Sequence, residues 1–293
     1  MKNKMKWLIG LAIVGLAGLL ITSNMQKNVI YSFNGEKVEA DAYYDMLKTH
    51  YGAGFVYQFI EKEYFNTKTV DKEIKEELKA SAESLLKEND NEEGKKMLET
   101  TLRSFGYSGI NDLQLYLENS YLKNKMVEEN FDAYFTDYKT YNDTYKPRIV
   151  THILVMSDDE AVVDAKKKEI DAILNDSDDI KIDMLKLNDD EVVISEQLGY
   201  VDRTSSLDEA FLALSLNTEE KTLSDWVKSS YGYHRIYVES TNEKDIRAMA
   251  KFQETVLTNE PSLSFKIVLD QMQKDGVEIE KTLLDEILEL AGL

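Results

Sequence analysis

The chain has 293 residues with 35 Lys and Arg against 55 Asp and Glu, a formal charge of −20, and contains no Cys, 3 His and 2 Pro. Without Cys there is no disulfide framework, thiolate metal site or cysteine nucleophile, and the acid excess argues against a nucleic-acid partner, which needs clustered Lys and Arg. At 43% hydrophobic and 10% aromatic residues the chain can bury a real core, and its length fits about two domains.

Residues 1–28 read as a targeting element, because Lys2, Lys4 and Lys6 precede 16 uncharged residues from Trp7 to Thr22. That stretch falls between the about 7–15 apolar residues of a signal peptide and the about 20 of a membrane span. Ile21-Thr22-Ser23-Asn24-Met25 offers no small-x-small cleavage site and no Cys to carry a lipid. The segment is therefore a signal peptide or an uncleaved membrane anchor. Its lysines hold the N-terminus in the cytoplasm, so that the chain after Asn24 faces the extracellular side of the cell membrane, or is secreted if the signal is cut.

Val29 to Phe33 reads as a short strand, followed by the turn signal Asn34-Gly35. Apolar residues then recur at helical spacing over 40–65, 70–86, 97–105 and 111–138, with Asn111 as a candidate N-cap. The texture changes at Tyr145-Lys146-Pro147-Arg148, where a proline precedes the extended run Ile149–Val155, and a domain boundary is expected there. Beyond it come a helix over 159–174, an acidic stretch without pattern, a turn at Leu198-Gly199-Tyr200, a helix over 206–214 and a strand over 233–238. Helices return over 246–258, from Pro261 until Gly276 closes the segment, and over 282–290, with a strand at 277–279. The fold class expected is α+β. Residues 29–146 and 242–293 form one helical domain, residues 147–241 are a small α+β domain inserted into it, and strands 29–33 and 277–279 pair with each other.

Several catalytic patterns are missing. Gly106-Tyr107-Ser108-Gly109 lacks the spacing of a G-x-S-x-G elbow, and no P-loop, G-x-G-x-x-G or H-E-x-x-H occurs. Asp176-Ser177-Asp178-Asp179 lacks the Gly and Glu of a calcium loop. Residues 157–193 carry 13 acids against 5 Lys, which reads as a solvated face. No cofactor or metal is called for. Twelve of the 17 Tyr lie between Tyr43 and Tyr145, where helical periodicity predicts core packing and a cradle for unfolded segments is the alternative. His152 and His234 lie in apolar strand contexts 82 residues apart and bracket the small domain, which points to a shared site.

Those strings resemble the parvulin family of peptidyl-prolyl cis/trans isomerases. His152-Ile153-Leu154-Val155 matches its opening strand H-I-L-V, and Gln197-Leu198-Gly199-Tyr200 partly matches its turn D-L-G plus an aromatic. Ala210-Phe211-Leu212-Ala213-Leu214 matches its A-F-x-L helix, and Tyr231-Gly232-Tyr233-His234-Arg235-Ile236 its closing motif, with order and spacing agreeing over about 148–240. Phe33-Asn34-Gly35-Glu36-Lys37-Val38 looks like the opening of the PrsA foldases and their SurA-like relatives, in which N- and C-terminal helical segments build a chaperone domain around a parvulin insertion. The chain departs from the family at Ser195-Glu196-Gln197, where two glycines and an acid are usual.

The resemblance implies an extracytoplasmic foldase with unfolded or partly folded exported polypeptides as partners, and it admits a homodimer. It assigns His152 and His234 to the histidine pair of the catalytic site. Asp189 would be the third, acidic position with Asp190 close behind, and Leu198, Leu207, Phe211, Ser229 and Tyr231 would line the substrate pocket. Such a site needs neither nucleophile nor metal. It holds the proline ring in an apolar pocket, favours the twisted amide and excludes water, which lowers a barrier of about 18–20 kcal/mol. The alternative is a binding-only chaperone with an inactive domain of this shape.

Overall fold

The computed structural model describes residues 29–33, 36–188 and 191–293, with side chains from residue 52 onward. The N-terminal targeting segment, the Asn34-Gly35 turn, Asp189 and Asp190 lie outside the described residues. The contacts divide into two compact units. One holds the described residues up to Phe131 together with Pro261–Leu293, and the other is Asp132–Glu260.

In the first unit β1 (Val29–Phe33) pairs antiparallel with β2 (Glu36–Glu39), in a register running from Val29↔Glu39 to Phe33↔Glu36. The expected pairing of 29–33 with 277–279 does not form, because β2 follows β1 within one hairpin and residues 277–280 are not a strand. Helix α1 (Ala40–Asn66) is followed by α2 (Lys72–Glu88) and α3 (Glu92–Ser104). α3 begins five residues before the apolar pattern does, since the Asn91 side chain caps it by accepting from the Gly94 amide at 2.8 Å. A single 3-10 turn takes up Ile110–Asp112, so Asn111 is not an N-cap and α4 runs Leu113–Tyr134. The core gathers Val70, Leu78, Leu102, Tyr107, Leu113 and Leu117.

The end of the chain joins the same unit through α11 (Pro261–Lys274) and α12 (Lys281–Leu290). The Tyr64 hydroxyl donates to Asp275 at 2.7 Å, Lys68 Nζ lies 2.6 Å from the same carboxylate, and the Tyr57 and Phe265 rings meet at 4.4 Å. None of the described tyrosines between Tyr57 and Tyr145 is exposed, and Tyr57, Tyr64, Tyr107, Tyr138 and Tyr141 are buried as core. The exposed large apolar side chains of this unit include Phe55, Val56 and Phe59, at 51%, 40% and 50% exposure, together with Met97, Leu290 and Leu293.

The second unit opens with α5 (Tyr138–Tyr145), capped by the Asp137 side chain on the Thr140 amide. Lys146 ends it in a left-handed conformation, and Pro147 leads into β3 (Arg148–Val155), as the missing proline N–H would require. Then come α6 (Glu160–Asn175), α7 (Ile180–Lys186), β4 (Val193–Val201), α8 (Glu209–Asn217), β5 (Val227–Ser229), β6 (Gly232–Ser240), α9 (Glu243–Arg247) and α10 (Ala250–Asn259). The acids of this region do local work, since Asp159, Asp179 and Asp208 cap α6, α7 and α8.

The strands form one antiparallel sheet in the order β4-β3-β6-β5. Leu198-Gly199-Tyr200 belongs to β4 and is not a turn. The register slips between Val150↔Gly199 and Thr151↔Gln197, leaving Leu198 in a bulge that Gly199 admits with φ +79°. All eight residues of β3 are buried. One face packs Ile153 and Val155 against Val163, Ile170 and Leu174 of α6 and Met184 of α7. The other packs Val150 and Ile236 against Phe211 of α8, with Leu198 and Leu207 around them. The unit reaches past 147–241 because Phe252 of α10 meets Tyr141 at 5.8 Å and Phe135 at 5.6 Å, edge to face.

Gly232 ends the turn from β5 to β6 at φ +142°, and a Cβ there would run into the Val155 carbonyl. Gly232→Ala should therefore cost about 2 kcal/mol or more, read as a lower urea midpoint at an unchanged denaturant slope.

Candidate functional site

The face of the sheet covered by α8 carries the two histidines. His152 lies opposite Glu196 on β4 and Ile236 on β6, and His234 lies opposite Leu154. The two imidazoles are thus diagonal neighbours across the β3–β6 pair, on the same side. Their centroids are 5.5 Å apart with the planes inclined by 25°, and their Nδ1 atoms are 3.4 Å apart. Phe211 stands edge-on to both, at 5.2 Å from His152 and 4.9 Å from His234. The rings are 6% and 5% exposed, so each polar atom needs a partner inside the protein.

Those partners exist at both ends. Ser229 Oγ lies 2.7 Å from His234 Nε2 and accepts from the Tyr231 amide at 3.0 Å, while His152 Nε2 lies 3.1 Å from Glu196 Oε1. A carboxylate only accepts, which puts a proton on His152 Nε2. With one proton on each ring, a single order then satisfies every contact: Ser229 donates to His234 Nε2, His234 Nδ1 donates to His152 Nδ1, and His152 Nε2 donates to Glu196. The His234 pKa is lowered to about 4, chiefly by burial and secondly by the His152 ring, with the nearby Asp208 carboxylate opposing both.

Of the residues singled out in the sequence, His152, His234, Ser229, Leu198, Leu207 and Phe211 come together on this face. Tyr231 contributes its backbone N–H while its ring is 71% exposed. Asp189 and Asp190 lie outside the described residues. Glu196, which sequence reasoning counted only as a lost glycine, is the carboxylate on the pair. Its role follows from the register opposite His152, which the bulge at Leu198 sets one residue away from a regular count.

A concavity of about 460 Å³ lies in the helical unit, lined by Phe59, Ile60, Tyr64, Lys68, Asp275 and Val277. Its lining holds no ring nitrogen, and its Lys68–Asp275 pair is partly exposed.

No family model matches the chain. The foldase protein PrsA 1 of Listeria monocytogenes serotype 4b is 30% identical to it over 241 residues, covering 80% of this chain and 76% of that protein. The chain belongs to the PrsA foldase family. The foldase protein PrsA of Geobacillus kaustophilus is 25% identical over 297 residues, covering 98% of this chain and 99% of that protein. The crystal structure of PrsA from Bacillus subtilis matches with a TM-score of 0.39 at 22% identity, covering 88% of this chain and 96% of that one. Among the described residues of this PrsA-family chain no helix is long and apolar enough to cross a membrane.

The lowered His234 pKa makes stability depend on pH. Between pH 6.5 and about 4 the unfolded chain binds a proton that the folded chain refuses, so this contribution is complete above pH 6.5 and lost as pH falls toward 4. The loss is about 3 kcal/mol, and His234→Gln should flatten that part of a pH series of urea denaturations.

Proposed function

We propose that this PrsA-family chain is a foldase of the extracytoplasmic side, held at the membrane by residues 1–28. In this reading it binds exported polypeptides and isomerises their X-Pro bonds on the His152–His234 face. Residues 147–241 act as the parvulin-like domain, and 29–146 with 242–293 act as the chaperone domain. Membership of the PrsA family supports the foldase role. The isomerase reading rests on one observation, two buried imidazoles joined ring to ring with Phe211 edge-on to both.

The division of labour follows from that arrangement. Leu198 and Leu207, packed over the buried Phe211, supply an apolar surface for a proline ring, and the order Ser229, His234, His152, Glu196 fixes the polar floor beside it. Isomerisation makes and breaks no bond outside the substrate. The residues need only hold the ring, keep water off the planar amide, and present fixed dipoles to the twisted one. In the helical unit, the exposed Phe55 and Phe59 offer apolar contact to an unfolded segment.

The second reading, a binding-only chaperone, draws on Gln197. It occupies the place of the acid expected in the family's turn, and its amide donates to Glu239 at 3.2 Å on the other face of the sheet, away from the histidines.

The test is refolding of a protein limited by a proline step. Wild-type chain should accelerate the slow phase by tenfold or more at catalytic amounts, and His152→Ala with His234→Ala should remove the acceleration while client binding persists. An equal slow phase with and without the wild-type chain would sink the isomerase reading and leave the chaperone one.

A further inference from the structure

The apolar surface assigned to proline is flanked by negative charge. Glu196 precedes Leu198 by two residues on β4, and Asp208 follows Leu207 directly at the start of α8. Glu196 is 57% exposed and is held by one contact, to His152 Nε2. Asp208 accepts from the amides of Ala210 and Phe211 at 3.0 and 3.3 Å, the same Phe211 whose ring meets both imidazoles, and its charge reaches His234. Neither carboxylate forms an ion pair with Lys or Arg among the described residues. Lys228, close in sequence to Ser229, turns to the opposite face of the sheet and sits 5.3 Å from the Tyr233 ring. His234 cannot balance the two acids, since burial keeps it neutral down to about pH 4.

Any peptide that lays a proline ring on Leu198 and Leu207, over the buried Phe211, therefore brings the neighbouring side chains beside carboxylates that no Lys or Arg balances. We infer that this site selects proline segments that carry Lys or Arg next to the proline and rejects those that carry Asp or Glu, with Glu196 and Asp208 as the specificity residues. The inference rests on the reading of the histidine face as a proline site. Attraction favours the cationic partner, and unpaired like charge acts against the anionic one, so discrimination comes from both directions.

The experiment uses the full chain and short peptides with Lys, Ala or Glu on either side of one proline. Dissociation constants are measured by titration and isomerisation rates by NMR exchange. The Lys peptides should bind about tenfold more tightly than the Glu peptides, and the ratio should shrink as salt rises. Glu196→Gln should lower it to about threefold, and adding Asp208→Asn, which keeps an N-cap residue on α8, should bring it close to one. Equal affinities in the wild type, no binding of any peptide, or a ratio that survives the double substitution would overturn the inference. Lys-selective binding without faster exchange would keep it and count against catalysis instead.

Discussion

The central strand must bury both of its faces at once, and the site depends on that constraint. Arg148–Val155 is covered by α6 and α7 on one side and α8 on the other, and it is hydrogen-bonded to β4 and β6 along both edges. Side chains alternate between faces, so Val150, His152 and Leu154 go one way and Thr151, Ile153 and Val155 the other. A slip of one residue would exchange the two sets and expel His152 from its partners. The register therefore fixes the site, and the hydrophobic alternation fixes the register.

Two buried polar systems hang on this strand, one per face. On the α8 side the imidazole pair is satisfied from Ser229 to Glu196. On the other side Glu239 accepts from Thr151 at 2.5 Å, from Lys181 at 2.6 Å and from Gln197 at 3.2 Å. The second system is closed, since Glu239 is 8% exposed and fully engaged. The first is open at its acid end, where Glu196 reaches solvent. A closed network holds the sheet, and an open one can meet a substrate.

The helical unit is held by contacts between parts far apart in sequence. Tyr64 and Lys68 meet Asp275, and Tyr57 meets Phe265, so both ends of the chain share one packing problem. The hydroxyls of Tyr64 and Tyr107 find partners inside the unit, Asp275 at 2.7 Å and Asn119 at 3.0 Å, which suits these tyrosines to its core. Phenylalanine has no such demand, and among the described aromatics of this unit Phe55 and Phe59 face water.

Periodicity, the Pro147 break and the paired histidine strings determined the helices, the change of texture at 146–148 and the two residues at the centre of the site. These signals are local or come from residue type, and one sequence carries them in full. Sequence left α7, β4 and β5 unread, because seven helical residues in an acidic stretch and a strand containing Gly199 have no clean period. It paired β1 with 277–279, when a neighbouring strand was available at far smaller loop-closure cost. Only the tertiary structure decided that Glu196 touches His152, that Asp208 reaches His234 and that Gln197 turns away. Each of these follows from a cross-strand register and a single bulged residue, and such pairings are set by the packing of the whole sheet and not by any stretch of chain alone.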